Sequence, residues 1–406
     1  MMQSSAKPLS VRDTSVRSLT RLVEADAELL SAQLQTLRAR AFPPSAQKVL
    51  RKFMAGEAAK LIGISDAYLR HLSLEGVIPE AEKNGAGRRL YSLEQIHEIR
   101  RHLATSKKGY SPERKEGEAL QVIAVTNFKG GSGKTTTAAH LAQYFALRGY
   151  RTLAVDLDPQ ASLSALFGIQ PEFDLGPNET LYGAIRYDDQ QVPLSQIIQK
   201  TYFAGLDIVP GNLELQEFEH DTPRVLAERG RAQDRMFFAR VGGALQSVEE
   251  NYDVVILDCP PSLGYLTLSA VCAARSVLVT IHPQMLDVAS MSQFLHMTAG
   301  LFDVVERAGG NADYDFFRYV VTRYEPSDGP QGQIVGLLKS LFGERVLTNT
   351  LLKSAAISDA GLTKQTLYEV GRENFHRSTY DRAMEALDNV NGEIEDLVKG
   401  AWGRPV

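Results

Sequence analysis

Eight consecutive residues carry the strongest chemical signal in the chain: Lys129-Gly130-Gly131-Ser132-Gly133-Lys134-Thr135-Thr136. They follow a β-rich apolar run over 122–126 and precede a helical run over 138–147. Glycines at this spacing let successive backbone N–H groups curl toward one anion, and the N-terminus of the following helix adds its dipole at the same point. Lys134 can then reach the β and γ phosphates of a nucleotide, while the Thr135 hydroxyl can take one position around a Mg²⁺ ion. The pattern G-x-x-x-x-G-K-[ST] is met except at its first position, where Phe128 replaces glycine.

Phosphoryl transfer also needs a carboxylate for the metal and a group that places water. Asp258 ends the apolar run 254–257 ahead of Cys259-Pro260-Pro261, the place for a metal-holding carboxylate beside the phosphate loop. Asp156 and Asp158 end a second apolar run in Val155-Asp156-Leu157-Asp158-Pro159-Gln160. A spacing of two puts both side chains on one side of an extended backbone, so one can order the metal shell while the other orients water.

These groups need a scaffold, and the alternation along the chain names it. From Leu120 onward, short apolar runs at 122–125, 152–155, 254–257, 277–280 and 319–322 alternate with helical patterns. Continuous apolar strands separated by helices predict a doubly wound, mostly parallel α/β sheet covered on both faces. In such sheets ligands bind at the C-terminal ends of the strands. The 44% hydrophobic and 23% charged composition is that of a globular chain with a full core. No stretch of 18 apolar residues is present, and the first residues lack the apolar core of a secretory signal, so a cytoplasmic location is expected. Two cysteines, Cys259 and Cys272, suggest neither a disulfide framework nor a metal cage, and both read as buried, unreactive thiols.

Charge is unevenly divided. Residues 1–120 hold 20 Lys and Arg against 14 Asp and Glu, while the remainder holds 24 against 35. A basic front on an acidic body points to a polyanion partner. Within that front, apolar positions at Val16, Leu19, Leu22, Val23, Leu29, Leu30, Leu34 and Leu37 predict a helix over 14–41, suited to dimerisation, which Pro43-Pro44 ends. Next, 53–65 followed by Tyr68-Leu69-Arg70 fits a helix-turn-helix: Ala58, Ala59 and Leu61 pack one helix, Gly63 permits the turn and Ser65 caps the next helix. The expected domains are 1–46, the N-terminal helix; 47–106, the DNA-binding module; 107–119, a polar linker; and 120–406, the nucleotide domain.

The constellation of Lys129, Asp156-Leu157-Asp158-Pro159-Gln160 and Asp258-Cys259-Pro260-Pro261 resembles the deviant Walker A ATPases of the ParA/MinD group. That resemblance implies ATP and Mg²⁺ bound at Lys129 through Thr136, with Thr135, Asp156 and Asp258 around the metal. It implies a homodimer in which Lys129 reaches phosphates held by the other subunit, and catalysis by Lys129, Lys134 and Asp158, with Asp158 positioning water. Arg323, at the end of the last strand, stands where relatives contact the base. The acidic C-terminal stretch Asn391–Trp402 does not suit an anionic membrane, which favours partitioning over division-site placement.

The sequel Gly87-Arg88-Arg89-Leu90-Tyr91-Ser92-Leu93-Glu94-Gln95-Ile96 resembles the wing and third helix of MerR-type DNA-binding domains. Arg70, Arg88 and Arg89 would meet phosphates or base edges. The whole arrangement is similar to the RepA-type partition proteins of alphaproteobacterial plasmid replication-partition cassettes. The likeness implies plasmid or chromosome segregation on the nucleoid, a centromere-binding partner of ParB/RepB type, stimulated ATPase activity, and repression of the protein's own operon through operator DNA. Nonspecific DNA binding falls to Lys353, because Ala356 stands where some relatives carry arginine. Two other readings fit the motifs: a repressor that only senses nucleotide, and an ATP-dependent scaffold for protein cargo.

Overall fold

The computed structural model describes residues 19–41, 48–106, 108–228, 236–307, 309 and 313–405. They fall into two compact units, one ending at Lys48 and the other running from Val49 onward. The described part of the first unit is the helix α1 (Leu19–Ala41). Leu19, Leu22, Val23, Leu29 and Leu30 are all exposed on it. Residues 14–18 of the expected helix, and the Leu34 and Leu37 side chains, lie outside the described residues.

The second unit opens with β1 (Phe53–Met54), α2 (Ala55–Ile62) and α3 (Asp66–Leu74). Gly63 ends α2 at φ 86°, a left-handed cap, and the Ser65 hydroxyl accepts the Tyr68 N–H at 3.1 Å to start α3. A hairpin of β2 (Glu82–Lys83) and β3 (Arg89–Tyr91) follows, and β3 also pairs with β1. The Asn84 side chain ties the hairpin turn by accepting the Ala86 and Arg88 N–H groups. With α4 (Leu93–Ser106) this is a winged helix-turn-helix. Its core is Ala58, Leu69, Tyr91, Ile96 and Ile99.

The body is a seven-stranded sheet built from β4 (Gln121–Thr126), β5 (Thr152–Asp156), β6 (Gln199–Lys200), β7 (Leu206–Val209), β8 (Val254–Asp258), β9 (Ser276–Ile281) and β10 (Phe316–Val321), in spatial order 10-9-4-8-5-7-6. All pairings are parallel except β6 against β7 at the edge. Every residue of β4, β5, β8 and β9 is buried, because helices cover both faces. Successive residues alternate between two cores: Ile123 and Val125 join the side of α5 (Lys134–Arg148), and Val122 and Ala124 the other. The sequence reading omitted β6 and β7, which are too short to show a periodicity.

The winged helix packs directly on this body. His97 of α4 meets the Ala146 carbonyl of α5 at 2.8 Å. Gly205 makes the approach possible, since a Cβ there would lie 2.9 Å from His97 Cε1. Residues 108–119 of the expected linker run over the body and are held at several points; residue 107 lies outside the described residues. The Arg114 N–H donates to Asp253 at 3.0 Å, and Arg404 donates to the Pro112 and Glu113 carbonyls and to Glu118. Trp402 adds a bond from its indole N–H to the Ala119 carbonyl at 2.8 Å.

Burial holds His97 at about 4, well below its ordinary 6.5, the Ala146 carbonyl offsetting only part of the cost. The unfolded chain therefore takes up a proton between these values that the folded chain refuses, so stability is present above about 6.5 and is lost as pH falls toward about 4. His97→Gln, which can still donate to the carbonyl, should remove this loss, worth up to about 3 kcal/mol. Urea unfolding from pH 7 to 4 checks it: the wild-type and variant curves must converge at pH 7 and separate at acid pH.

Candidate nucleotide site

The loop Lys129–Gly133 joins β4 to α5 at the C-terminal edge of the sheet, with α5 starting at Lys134. Gly131 and Gly133 take φ of 76° and 85°, which side-chain-bearing residues avoid. Neighbouring strands brace the loop from below. Ser132 Oγ lies 3.0 Å from Thr280 Oγ1 of β9, and the Thr322 hydroxyl donates to the Ser132 carbonyl at 2.7 Å. The Lys129 N–H donates to Asn127 Oδ1 at 3.0 Å. Phe128 stacks on Phe294 with ring centroids 5.1 Å apart, so the position glycine would hold serves packing here.

Lys134 is 6% exposed, and its ammonium donates to the Lys129 carbonyl at 3.1 Å. Burial lowers its affinity for a proton, while the charges of Asp258 and Asp158 oppose that effect. Asp258 ends β8 in register with Val125 on one side and Asp156 on the other. It is wholly buried, and neither carboxylate oxygen has a partner of full hydrogen-bond geometry. Burial, then the Asp156 charge, holds its carboxyl well above the ordinary range, with the Thr135 hydroxyl and Lys134 offsetting part of the rise.

Asp156 is differently placed. One of its oxygens accepts both the N–H and the hydroxyl of Ser164, each at 2.7 Å, and the other accepts the Asp158 N–H at 3.2 Å. Burial pushes it up to about 6 against those bonds. Asp158 is half-buried, and one of its oxygens accepts the Gln160 N–H at 2.9 Å. The two aspartates expected to act as a pair therefore have different surroundings: Asp156 is anchored inward and Asp158 faces the loop. Gly211 closes this corner, its N–H donating to Ser164 Oγ at 2.9 Å.

Four residues at the site had no sequence signal: Asp287, His282, Ser164 and Thr280. Lys129 forms an ion pair with Asp287, which lies in the first turn of the helix Met285–Arg307 and is 9% exposed. His282 Nδ1 stands 3.6 Å from the other Asp287 oxygen. Ser164 and Thr280 complete the list, and nothing in a single sequence separates them from ordinary polar residues. Arg323 comes to the loop at φ 53°, its guanidinium donating to the Gly131 carbonyl at 2.9 Å.

Among the described residues no group of three or more His, Cys, Asp and Glu side chains could hold a metal by itself. Mg²⁺ at a phosphate site does not need one, since it keeps water and phosphate oxygens and takes few protein ligands. The unpartnered oxygens of Asp258 and the Thr135 hydroxyl fit such an ion. Asp156, with its oxygens already bonded, is less available.

The remaining predicted residues lie elsewhere. Arg70 and Arg88 are exposed on the winged helix, at α3 and beside the hairpin turn, and Arg89 is half-buried in β3. Lys353 is exposed and paired with Glu325 at 2.8 Å. Ala356 is buried, which explains its small size. Cys259 is buried as expected, but Cys272 is only half-buried, because the helix Tyr265–Ala273 ends one residue beyond it. Burial raises both thiols, Cys272 to about 11. No helix among the described residues is long and apolar enough to cross a membrane.

Comparison with known proteins follows this division. Residues 120–307 match the family described as AAA domain, and 55–91 match the MerR family regulatory protein. A replication protein A of Rhizobium rhizogenes is 57% identical over 393 residues, 96% of this chain and 97% of that one. The chromosome partitioning protein ParA of Myxococcus xanthus is 31% identical over 239 residues, 59% of this chain and 77% of that one. A solved structure titled partition protein aligns with a TM-score of 0.62 at 17% identity, over 92% of this chain and 98% of that one, and so shares the fold.

The buried Asp258 charge works against folding at neutral pH when nothing is bound, because a raised carboxyl gains stability only as pH falls. Asp258→Asn keeps a buried polar group but removes the ionisable one, so it should stabilise the nucleotide-free chain at pH 7 and flatten the pH dependence of its stability. Urea denaturation at pH 7 measures this, and a destabilised variant would show that the carboxylate is already satisfied.

Proposed function

The chain belongs to the ParA family of partition ATPases, and from that membership we propose a cycle in which ATP closes a homodimer, the dimer binds DNA, and hydrolysis releases it. The observation that carries this reading is the buried, unpartnered Asp258 carboxylate beside Lys134 and Thr135 at the mouth of the glycine loop. A buried charge left without a partner is costly, and functional sites are where such cost is kept.

Each residue then has a task. The loop N–H groups from Gly130 to Thr136 cradle phosphate oxygens, and Lys134 neutralises charge on the phosphates as the bond to the γ-phosphoryl breaks. Thr135 and Asp258 hold Mg²⁺, which when bound supplies charge stabilisation and orients the phosphates. Asp156 keeps the strand end and the Asp158 N–H in place through Ser164. Asp158 orients the attacking water, so that ATP and water give ADP and phosphate. Lys129 is the group that crosses to the second subunit. In the single chain it is occupied by Asp287, so crossing requires that pair to open. This exchange supports slow turnover by the chain alone and faster turnover with a partner.

DNA contact is assigned to two surfaces. Arg70, Arg88 and Arg89 on the winged helix serve operator DNA and repression of the protein's own operon. Lys353 serves nonspecific nucleoid DNA in the closed dimer, leaving Glu325 to do so. The centromere-binding protein of ParB/RepB type stimulates hydrolysis and resets the cycle. The site of action is the cytoplasm, on the nucleoid.

ATP hydrolysis by the wild type and Lys134→Ala, with and without nonspecific DNA and the centromere-binding partner, tests the cycle. Turnover should be slow alone, rise with both additions, and fall at least about 100-fold in the variant. Turnover indifferent to both additions, with operator still bound, would indicate a nucleotide-sensing repressor instead. Asp287→Asn should free Lys129 and raise the ATP-dependent dimer fraction up to about fivefold, the worth of a half-exposed ion pair near 1 kcal/mol. Sedimentation at limiting ATP reads this, and a smaller dimer fraction would reverse the role given to Asp287.

A further inference from the structure

A cavity lies away from the glycine loop, where the winged helix, residues 109–112 and the C-terminal helix Arg377–Ala401 meet. Its volume is about 570 Å³, within the range of small-molecule sites. Arg148, in the last turn of α5, is part of its wall. The glycine loop stands at the opposite end of that 15-residue helix, about 22 Å away.

The lining is strongly cationic: Arg100, Lys115, Arg148, Lys399 and Arg404 face the single carboxylate Glu395. Glu395 is already engaged. It accepts the Tyr144 and Tyr150 hydroxyls at 3.0 and 2.9 Å and pairs with Arg148 and Lys399 at 3.3 and 3.2 Å. Burial would raise its carboxyl, but Arg148 and Lys399 hold it below the ordinary range. Behind the wall, Glu118 balances Arg404 at 2.6 Å. The carbonyl end of α5 contributes only about half a negative charge. Lys399 also pairs with Asp396 at 3.4 Å. One to two positive charges are therefore left over in a partly enclosed space.

Arg100 shows this excess most directly. It is 7% exposed, it donates once to the Leu61 carbonyl, and its Nε is buried with no partner. Burial, then the Arg148 charge, pushes it down to about 10, unusual for a guanidinium.

We propose that this cavity is a second ligand site, distinct from the nucleotide site, that takes a small phosphate-bearing anion up to the size of a nucleotide. Arg100 comes from the winged helix and Arg148 and Arg404 from the body, so a phosphate held among them ties the two together. Occupancy then sets how firmly the DNA-binding module is docked. Duplex DNA is a poor occupant, because its phosphates cannot enter a concavity to reach a buried guanidinium.

The test uses the full chain carrying Lys134→Ala, which disables the glycine loop, and titrates inorganic pyrophosphate and then ADP by calorimetry without magnesium. One equivalent of pyrophosphate should bind, and the affinity should drop at least about tenfold on adding Arg100→Gln or Lys115→Gln. Lys115 is exposed at the rim, so its variant keeps the test valid if the buried Arg100→Gln fails to fold. ADP binding with the same dependence assigns the site to nucleotides, and pyrophosphate binding alone assigns it to free phosphates; either supports the proposal. No binding, binding unchanged in both variants, or displacement of pyrophosphate by a short duplex would overturn it.

Discussion

Asp258 lies at zero exposure, one strand from the glycine loop, with neither oxygen in a hydrogen bond of full geometry. In water that carboxylate would cost nothing; here it is held by the rigidity of its neighbours. The strand β8 is paired on both sides along its length, and Val125 and Asp156 flank its last residue. Burial makes ionising this carboxyl costly, and Lys134 and Thr135 offset part of that cost. The arrangement is costly when empty and favourable when a cation and phosphates fill it, which is how binding energy becomes tied to this place.

The surrounding contacts keep that geometry from relaxing. Ser164 fixes Asp156 with two hydrogen bonds, and Asp156 in turn fixes the Asp158 N–H. Thr280 and Thr322, from β9 and the residue after β10, hold the loop at Ser132. These bonds are buried, and each would leave an unsatisfied polar group if broken. On the opposite end of α5, the winged helix is seated by His97 on the Ala146 carbonyl, and Arg404 clasps residues 112–118 that follow it. One helix thus has the glycine loop at its start and the winged helix at its end.

Much of the site was legible in the sequence because backbone-driven functions leave dense local signatures. Lys129 through Thr136 are contiguous, and Asp258 and the Asp156–Asp158 pair each end an apolar run. Asp287 was not legible, since it lies 158 residues from Lys129 and follows no motif. Ser164 was missed for the same reason, being one of several serines near a strand end. The bond from Arg323 to the Gly131 carbonyl was not legible either, since the two residues lie 192 apart. Cys272 was expected to be buried and is half-buried, one residue from the end of its helix.

What the sequence determined by itself is the order of elements: strands that are apolar on both faces, a glycine loop entering a helix, acidic residues at strand ends, and a helix-turn-helix ahead of them. Those features depend on hydrogen bonding and periodicity over a few residues, which local residue types decide. Only the tertiary structure decided which charges meet. The pairing of Lys129 with Asp287, the isolation of Asp258, and the five cations gathered around Glu395 arise where distant segments close on one another. Their energies depend on burial and on distance in space, and neither quantity exists until the chain has packed.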